Sequence, residues 1–387
     1  MDATDASSVS AQIQVSEITT FDEFRDFRNE LNALLPDDDR ATVFQSWEFL
    51  FNAWRAVQTT APAIVRVRYR GKLIACAPFG VRKERIGPLT VKVLCFISDR
   101  FAEHSDLIVH RDYEVPALNA LSVWFQENCK RWDLVHLTPM VEGSWLTTEM
   151  TFSDDLPSRL QAVDVAPYLS VDPDWNSFDY IVSRKRRKTL RRASRRLFDK
   201  HGAIYVQTNP NTPADEVTTA INEFFHLHQK RMQEKMRSGH FSDIHVRLAF
   251  GDLIRDLIRV RQARLHRIEI EGQTIAIALT FHWNNVTAYY QGGMDPEFGA
   301  LSPGTVLQCC IIEDTISRGG AEYDFLQGGE PYKYTWARRE RALYGLEIRS
   351  SPFKSLAYVL ARNIRKRLAG SQYIRQFYLT YVGRRDK

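Results

Sequence analysis

Apolar and polar residues alternate most clearly in two places, and each predicts a β-hairpin. In AIVRVRYRGKLIACAPFGVRK two period-two runs meet at Arg70-Gly71, and in RLHRIEIEGQTIAIALTFHW two more meet at Glu271-Gly272. Each hairpin follows aromatic-rich sequence with helical spacing. Before the first come residues 21–35, with Phe24, Phe27 and Leu31 on one face, and Trp47–Val57, which Ser46 can N-cap. Before the second come 214–237, with Phe224, Phe225, Leu227 and His228 at core spacing, and 250–262. Further strands are predicted at 91–97, 106–109, 134–137, 286–291 and 321–326, and helices at 116–132 and 305–317. Overlaid turn on turn, Arg66, Gly71, Ile74, Ala75 and Ala77 meet Arg267, Gly272, Ile275, Ala276 and Ala278. The chain reads as two copies of one α/β unit. Pro167, Pro173 and scattered Asp in DVAPYLSVDPDWNS put a linker at 166–178. The expected division is a disordered lead-in (1–16), an N-terminal unit (17–165), a C-terminal unit (179–352) and a helical tail (353–387).

Composition narrows the class. The chain has 387 residues, 44% of them hydrophobic and 26% charged, enough for a sizeable core and about two domains. No apolar run approaches the roughly 18 residues of a membrane span. The start, MDATDASSVSAQIQVS, lacks the basic-then-apolar order of a signal peptide, so a cytoplasmic protein is expected. Five cysteines, embedded in apolar segments without CxxC spacing, argue against a disulfide scaffold or a zinc site, and no metal is expected.

Net charge is only +5, but nine of the thirteen residues from Arg184 to Arg196 are basic. On a helix, Leu190, Ala193 and Leu197 would form one narrow apolar stripe, so the helix would dock by an edge and show its charge. Nucleotide or CoA phosphates, an anionic polymer or membrane surface, and RNA all suit such a face; a solvated face with no dedicated ligand is the first account of it. No aromatics interleave the run, so nucleic acid is not the expected partner. The tail, 355–387, is a second basic amphipathic stretch, suited to packing on the domain or resting on an anionic bilayer at the inner membrane face.

Between 286 and 337 the sequence carries candidate chemistry. A strand running to Gly292-Gly293, whose glycines let the backbone leave it, precedes Ser302-Pro303-Gly304-Thr305, which opens a helix with Ser302 as N-cap. A glycine-bearing loop and a bare helix N-terminus make an anion site, although ordinary capping explains the same residues. The segment is neither a Walker loop nor a GxGxxG.

YYQGGMDP, SPGTVL and YDFLQGGEPYKYTWA, with FQSWEFLFNAW and FFHLHQKRM upstream, resemble the GNAT superfamily of N-acyltransferases. The resemblance is to the cellulose-biosynthesis or BioF-like acetyltransferase branch, related in fold to Fem-type aminoacyl transferases, and it spans roughly 20–350. It implies an α/β fold of tandem GNAT-like domains, each a mixed, mostly antiparallel sheet flanked by helices. It also implies acyl-CoA (acetyl-CoA) as cosubstrate, its pyrophosphate held at Ser302–Thr305 beside Gly292 and Gly293. The reaction would move an acyl group, other than an aminoacyl group, to an amine. The acceptor class it suggests is an amino sugar or a precursor in exopolysaccharide or envelope synthesis. Two alternatives remain: a Fem-type aminoacyl-tRNA-dependent transferase, and an inactive GNAT-fold binding subunit of a polysaccharide-synthesis complex.

Acyl transfer needs a base for the amine, an oxyanion donor and an acid for the thiolate. Asp324, between Tyr323 and Phe325, would point into the core or a cleft, as a desolvated base or as a carboxylate tied to backbone N–H groups. Glu330 is the alternative base. Tyr332 is placed to protonate the thiolate, and Lys333 to meet phosphate or oxyanion. His228 is a further catalytic candidate, or a core-edge histidine. His104-Ser105-Asp106 is too contiguous for a hydrolase triad and reads as a loop.

Overall fold

A computed structural model describes residues 12–57, 59–150, 158–234 and 240–370. In chain order the N-terminal part holds β1 (Ile13–Ile18), α1 (Phe21–Asp26), α2 (Arg28–Leu34), α3 (Trp47–Val57), β2 (Thr60–Tyr69), β3 (Lys72–Ile86), β4 (Leu89–Phe96), β5 (Ile108–Val109), α4 (Glu114–Asn128), β6 (Leu134–Val141) and α5 (Trp145–Thr148). Then come β7 (Ser158–Ser170), α6 (Arg184–Arg195), β8 (Ile204–Gln207), α7 (Ala214–Glu234), α8 (Ile244–Arg259), β9 (Ala263–Ile270), β10 (Gln273–Trp283), β11 (Val286–Met294), α9 (Pro303–Ser317), β12 (Glu322–Asp324), β13 (Arg339–Arg349) and α10 (Pro352–Gly370).

Both predicted hairpins form, and their turns use the same chemistry. Arg70 and Gly71 have φ of 50° and 82°, and Glu271 and Gly272 have 50° and 80°. Two left-handed residues match the right-handed twist of the flanking strands. Ser46 does cap α3, its Oγ accepting from the Phe49 N–H at 3.3 Å.

The strands join in one thirteen-stranded mixed sheet, ordered β1-β2-β3-β4-β6-β13-β7-β12-β11-β10-β9-β8, with β5 paired to β3. The repeat predicted from the hairpins is visible in it. Three antiparallel neighbours lead to a strand that meets its next partner in parallel, β4 with β6 in one half and β11 with β12 in the other. The halves then exchange strands. β13, from the end of the second half, pairs with β6 of the first; β7, from before the second half, pairs with β12. β7 and β13 pair with each other along their length and join the two halves of the sheet.

The expected linker at 166–178 therefore starts inside a strand. Residues up to Ser170 belong to β7, and Pro167 is accommodated because its carbonyl, the one polar backbone group it has, accepts from the Phe325 N–H at 3.0 Å. Of the expected lead-in, residues 1–11 lie outside the described residues, while 13–16 are strand, paired to β2. α10 occupies the start of the tail, and residues 371–387 lie outside the described residues. It docks through buried Ser355 and Tyr358 and turns Phe353, Leu356, Leu360 and Ile364 outward. Among the described residues no helix is long and apolar enough to cross a membrane.

Helices cover both faces of the second half. On one face α7 and α8 bury Phe224, Phe250 and Leu253 against Phe281, Ala288 and Tyr290, together with Phe44 and Phe49 of the first half. On the other, Ile312 of α9, with Leu190 of the basic helix α6 and Leu197 in the turn after it, packs against Ile275, Ala276 and Tyr323.

Candidate active site

β11 and β12 run side by side for three residues only, Val286 with Glu322, Thr287 with Tyr323 and Ala288 with Asp324. β11 then continues to Met294 while β12 stops, so the two strands part in a fork. Gly292 and Gly293 were expected to release the chain from the strand; they lie inside it. At Gly293 the reason for glycine is close approach. A Cβ there would sit 2.4 Å from the carbonyl carbon of Leu227 and 2.5 Å from the backbone nitrogen of His228, so glycine lets α7 lie directly on β11.

A cavity of about 330 Å³ opens beside the fork on the α9 face. Gly292, Gly293, Gly304, Thr305 and Tyr332 line it, so it gathers five of the residues singled out in the sequence. It also gathers Arg186, from the basic run on α6, and Arg231 of α7, which the sequence analysis did not single out. Arg231 donates to the Gly292 carbonyl at 2.9 Å. A signal for it existed in FFHLHQKRM, where the cation sits one helical turn from Leu227 and His228.

Ser302 does not cap α9 with its side chain. It adopts a left-handed conformation, φ 55°, and its carbonyl accepts from the N–H groups of Thr305 and Val306 at 3.1 and 3.2 Å. Beyond Ser302 lies a second, wider cavity of about 1020 Å³, walled by α6. Eight basic side chains line it, among them Arg187, Arg191 and Arg195, with Asp179 the one acid. As the apolar stripe predicts, this basic segment docks by Leu190 and Leu197.

The other expected catalytic residues, Asp324, Glu330, Lys333 and His228, do not line the cavity beside the fork. Asp324 is in register with Ala288, so it faces the opposite side of the sheet from α9. It is buried, and its Oδ1 accepts from the Leu326 N–H at 2.7 Å. Lys333 is buried as well, its Nζ held by the carbonyls of Leu326 and Gln327 and by Glu330 at 3.0 Å. That ammonium shapes the loop after β12 and does not point at the cavity. His228 packs between Phe224 and Phe241, as a core histidine does.

Sequence reasoning missed Glu103. The loop between β4 and β5 crosses the mouth of the fork from the first half of the chain. On one side the Phe101 carbonyl accepts from the Tyr290 hydroxyl at 2.9 Å; on the other, Glu103 Oε2 accepts from the Gln327 N–H at 2.9 Å. Burial, with Asp324 and Glu330 nearby, pushes the Glu103 carboxyl up to about 8, against the pull of the Gln327 N–H and Lys333. No periodicity marks RFAEHSD, and its partner lies 224 residues away. Among the described residues no group of three or more His, Cys, Asp or Glu side chains is placed to hold a metal ion.

Residues 184–334 match the family profile described as an acetyltransferase (GNAT) domain. This segment is a GNAT-fold domain. The chain is similar in fold to FemX, at 12% identity and a TM-score of 0.60, over 89% of this chain and 99% of that one. It is also similar to L-PGS from Bacillus licheniformis, at 11% identity and a TM-score of 0.54, covering 86% and 96%. No curated protein sequence matches the chain. The GNAT-fold domain contains the fork, most of the 330 Å³ cavity and α6, whereas Glu103 is brought to it from outside.

Proposed function

We propose that the chain is an N-acyltransferase that takes an acyl group from an acyl-CoA thioester at the fork. The observation that carries this reading is the cavity uniting Gly292, Gly304, Thr305, Arg186 and Arg231 beside the parted strands. A helix N-terminus and two guanidiniums suit pyrophosphate. The amine nitrogen attacks the thioester carbonyl, the C–N bond forms and the C–S bond breaks. Glu103 takes the proton from nitrogen. Tyr332, which lines the cavity and whose phenol is protonated at neutral pH, gives one to the departing thiolate. The acceptor proposed is an amino sugar or envelope precursor, the class that the sequence resemblance suggests.

A second reading is favoured by the basic groove and by the fold shared with FemX: an aminoacyl-tRNA donor, with the nucleic acid along α6. The sequence-based exclusion of aminoacyl groups has no support in the comparisons. Titration calorimetry with acetyl-CoA, longer acyl-CoAs and a charged tRNA separates the two. Acyl-CoA should bind; where tRNA binds instead, Arg187→Gln, Arg191→Gln and Arg195→Gln together should weaken that binding and flatten its salt dependence. Binding of tRNA without acyl-CoA would replace the first reading by the second. Binding of neither would leave a non-catalytic subunit.

Attachment to an anionic bilayer through α10 belongs to the same proposal. Its support is the outward stripe of Phe353, Leu356, Leu360 and Ile364 on a helix with no acidic residue. The protein should sediment with phosphatidylglycerol vesicles and not with phosphatidylcholine vesicles; equal behaviour with both removes the proposal.

A further inference from the structure

Behind the fork, on the face away from α9, lies a cavity of about 370 Å³ built by both halves of the chain. Its carboxylates are Asp39, Glu142, Glu322 and Asp324, against Arg40 and Arg341. Arg40 is already engaged: its guanidinium lies 3.6 Å over the Trp145 ring and donates to the Gly143 carbonyl at 3.1 Å. Arg341 pairs with Glu322 and stays 4.0 Å from Asp324 Oδ2. Asp39 is neutralised from outside the cavity, by Arg111 at 2.9 Å, and Asp324 is the buried carboxylate that Arg341 leaves without a close ion pair.

A second, independent feature points into the same space. The His104 side chain is 5% exposed, lines the cavity, and its Nε2 has no hydrogen-bond partner. It lies 3.7 Å from Asp324 Oδ2, too far for a hydrogen bond and close enough for one nitrogen to bridge the two. A buried ring nitrogen left without a partner beside a buried carboxylate is costly unless a donor fills the gap. Phe44, Phe281 and Trp283 supply apolar and aromatic wall.

We propose that this cavity binds the primary ammonium group of the acyl acceptor, between Asp324, Glu322 and His104. An alkylammonium offers three N–H donors, and these three side chains offer three acceptors. Asp324 is the last residue of β12 paired to β11, so the inner end of the cavity is where the strands part. Donor and amine then approach the fork from opposite faces of the sheet. Glu103, adjacent to His104 in the chain, reaches the fork from the amine's side.

This inference rests on the acyl-transfer reading for the identity of the ligand, but its test does not need a donor. The free protein is titrated with n-butylammonium, with tetramethylammonium and n-butanol as controls, by following the His104 imidazole resonances. Those resonances are assigned by difference against His104→Gln. Butylammonium should shift them saturably, and neither control should. Asp324→Asn, which keeps the shape and the acceptor for the Leu326 N–H, should weaken the response at least tenfold; if that variant does not fold, Glu322→Gln takes its place. Equal responses to butylammonium and tetramethylammonium, no response at all, or undiminished affinity in the folded variant would each overturn the proposal. Acetyl-CoA binding without butylammonium binding sinks the amine site alone, and the converse sinks the choice of donor alone.

Discussion

Glu103→Gln should bind acyl-CoA like the wild type and lose turnover by about 10²- to 10⁴-fold, the usual contribution of a positioned general base. The sign of the pH dependence follows from the side chain. Its carboxyl, held up to about 8, is mostly protonated at neutral pH, and only the carboxylate can accept a proton. The kcat/KM of the wild type should therefore rise as pH passes upward through about 8, and level off beyond it. In Glu103→Gln that limb should vanish along with the activity. A limb that persists in the variant would assign the titration to the amine itself or to another group. Unchanged turnover would leave Glu103 as the tie between the loop and Gln327 and nothing more.

Gly304→Asp should abolish acyl-CoA binding while the protein stays folded. A Cβ at 304 would meet only the Met294 sulfur, at 3.4 Å, so the backbone tolerates a side chain. The carboxylate would have to share the cavity with the donor's phosphates. Two unit charges about 5 Å apart at an effective dielectric of about 20 repel by roughly 3 kcal/mol, more than a hundredfold in affinity. Gly304→Ala is the control and should bind nearly as the wild type does. Calorimetry on both variants, with circular dichroism for the fold, decides the matter. Intact affinity in folded Gly304→Asp would move the pyrophosphate away from α9.

How much of this was legible in the sequence depended on the range of the interaction. The hairpins at Gly71 and Gly272 were readable because turn and alternation are local, and α6 because its stripe repeats at three and four residues. Gly293 was conspicuous, but the reason for it lies in α7, far upstream in the chain, and a single sequence does not display that contact. Asp324 was found as a buried carboxylate while the face it looks toward was not, since three residues of strand carry too little pattern to fix a side. His104 was set aside as part of a loop, because only folding brings Asp324 beside it. Pro167 read as a break, yet a strand that needs to accept and not donate at that position takes proline without loss.

The exchange of β7 and β13 makes the two halves of this chain dependent on one another. A fragment ending near residue 150 would lack β13, and β6 would become an edge strand with a bare row of unpaired N–H and C=O groups. A fragment beginning near 179 would lack β7, and β12, only three residues long, would lose its antiparallel neighbour. The fork is held open by that neighbour on one side and crossed by the Glu103 loop on the other. Two units of one plan are thus welded into a single folding body, in which the first serves as the frame that keeps the jaws of the second apart.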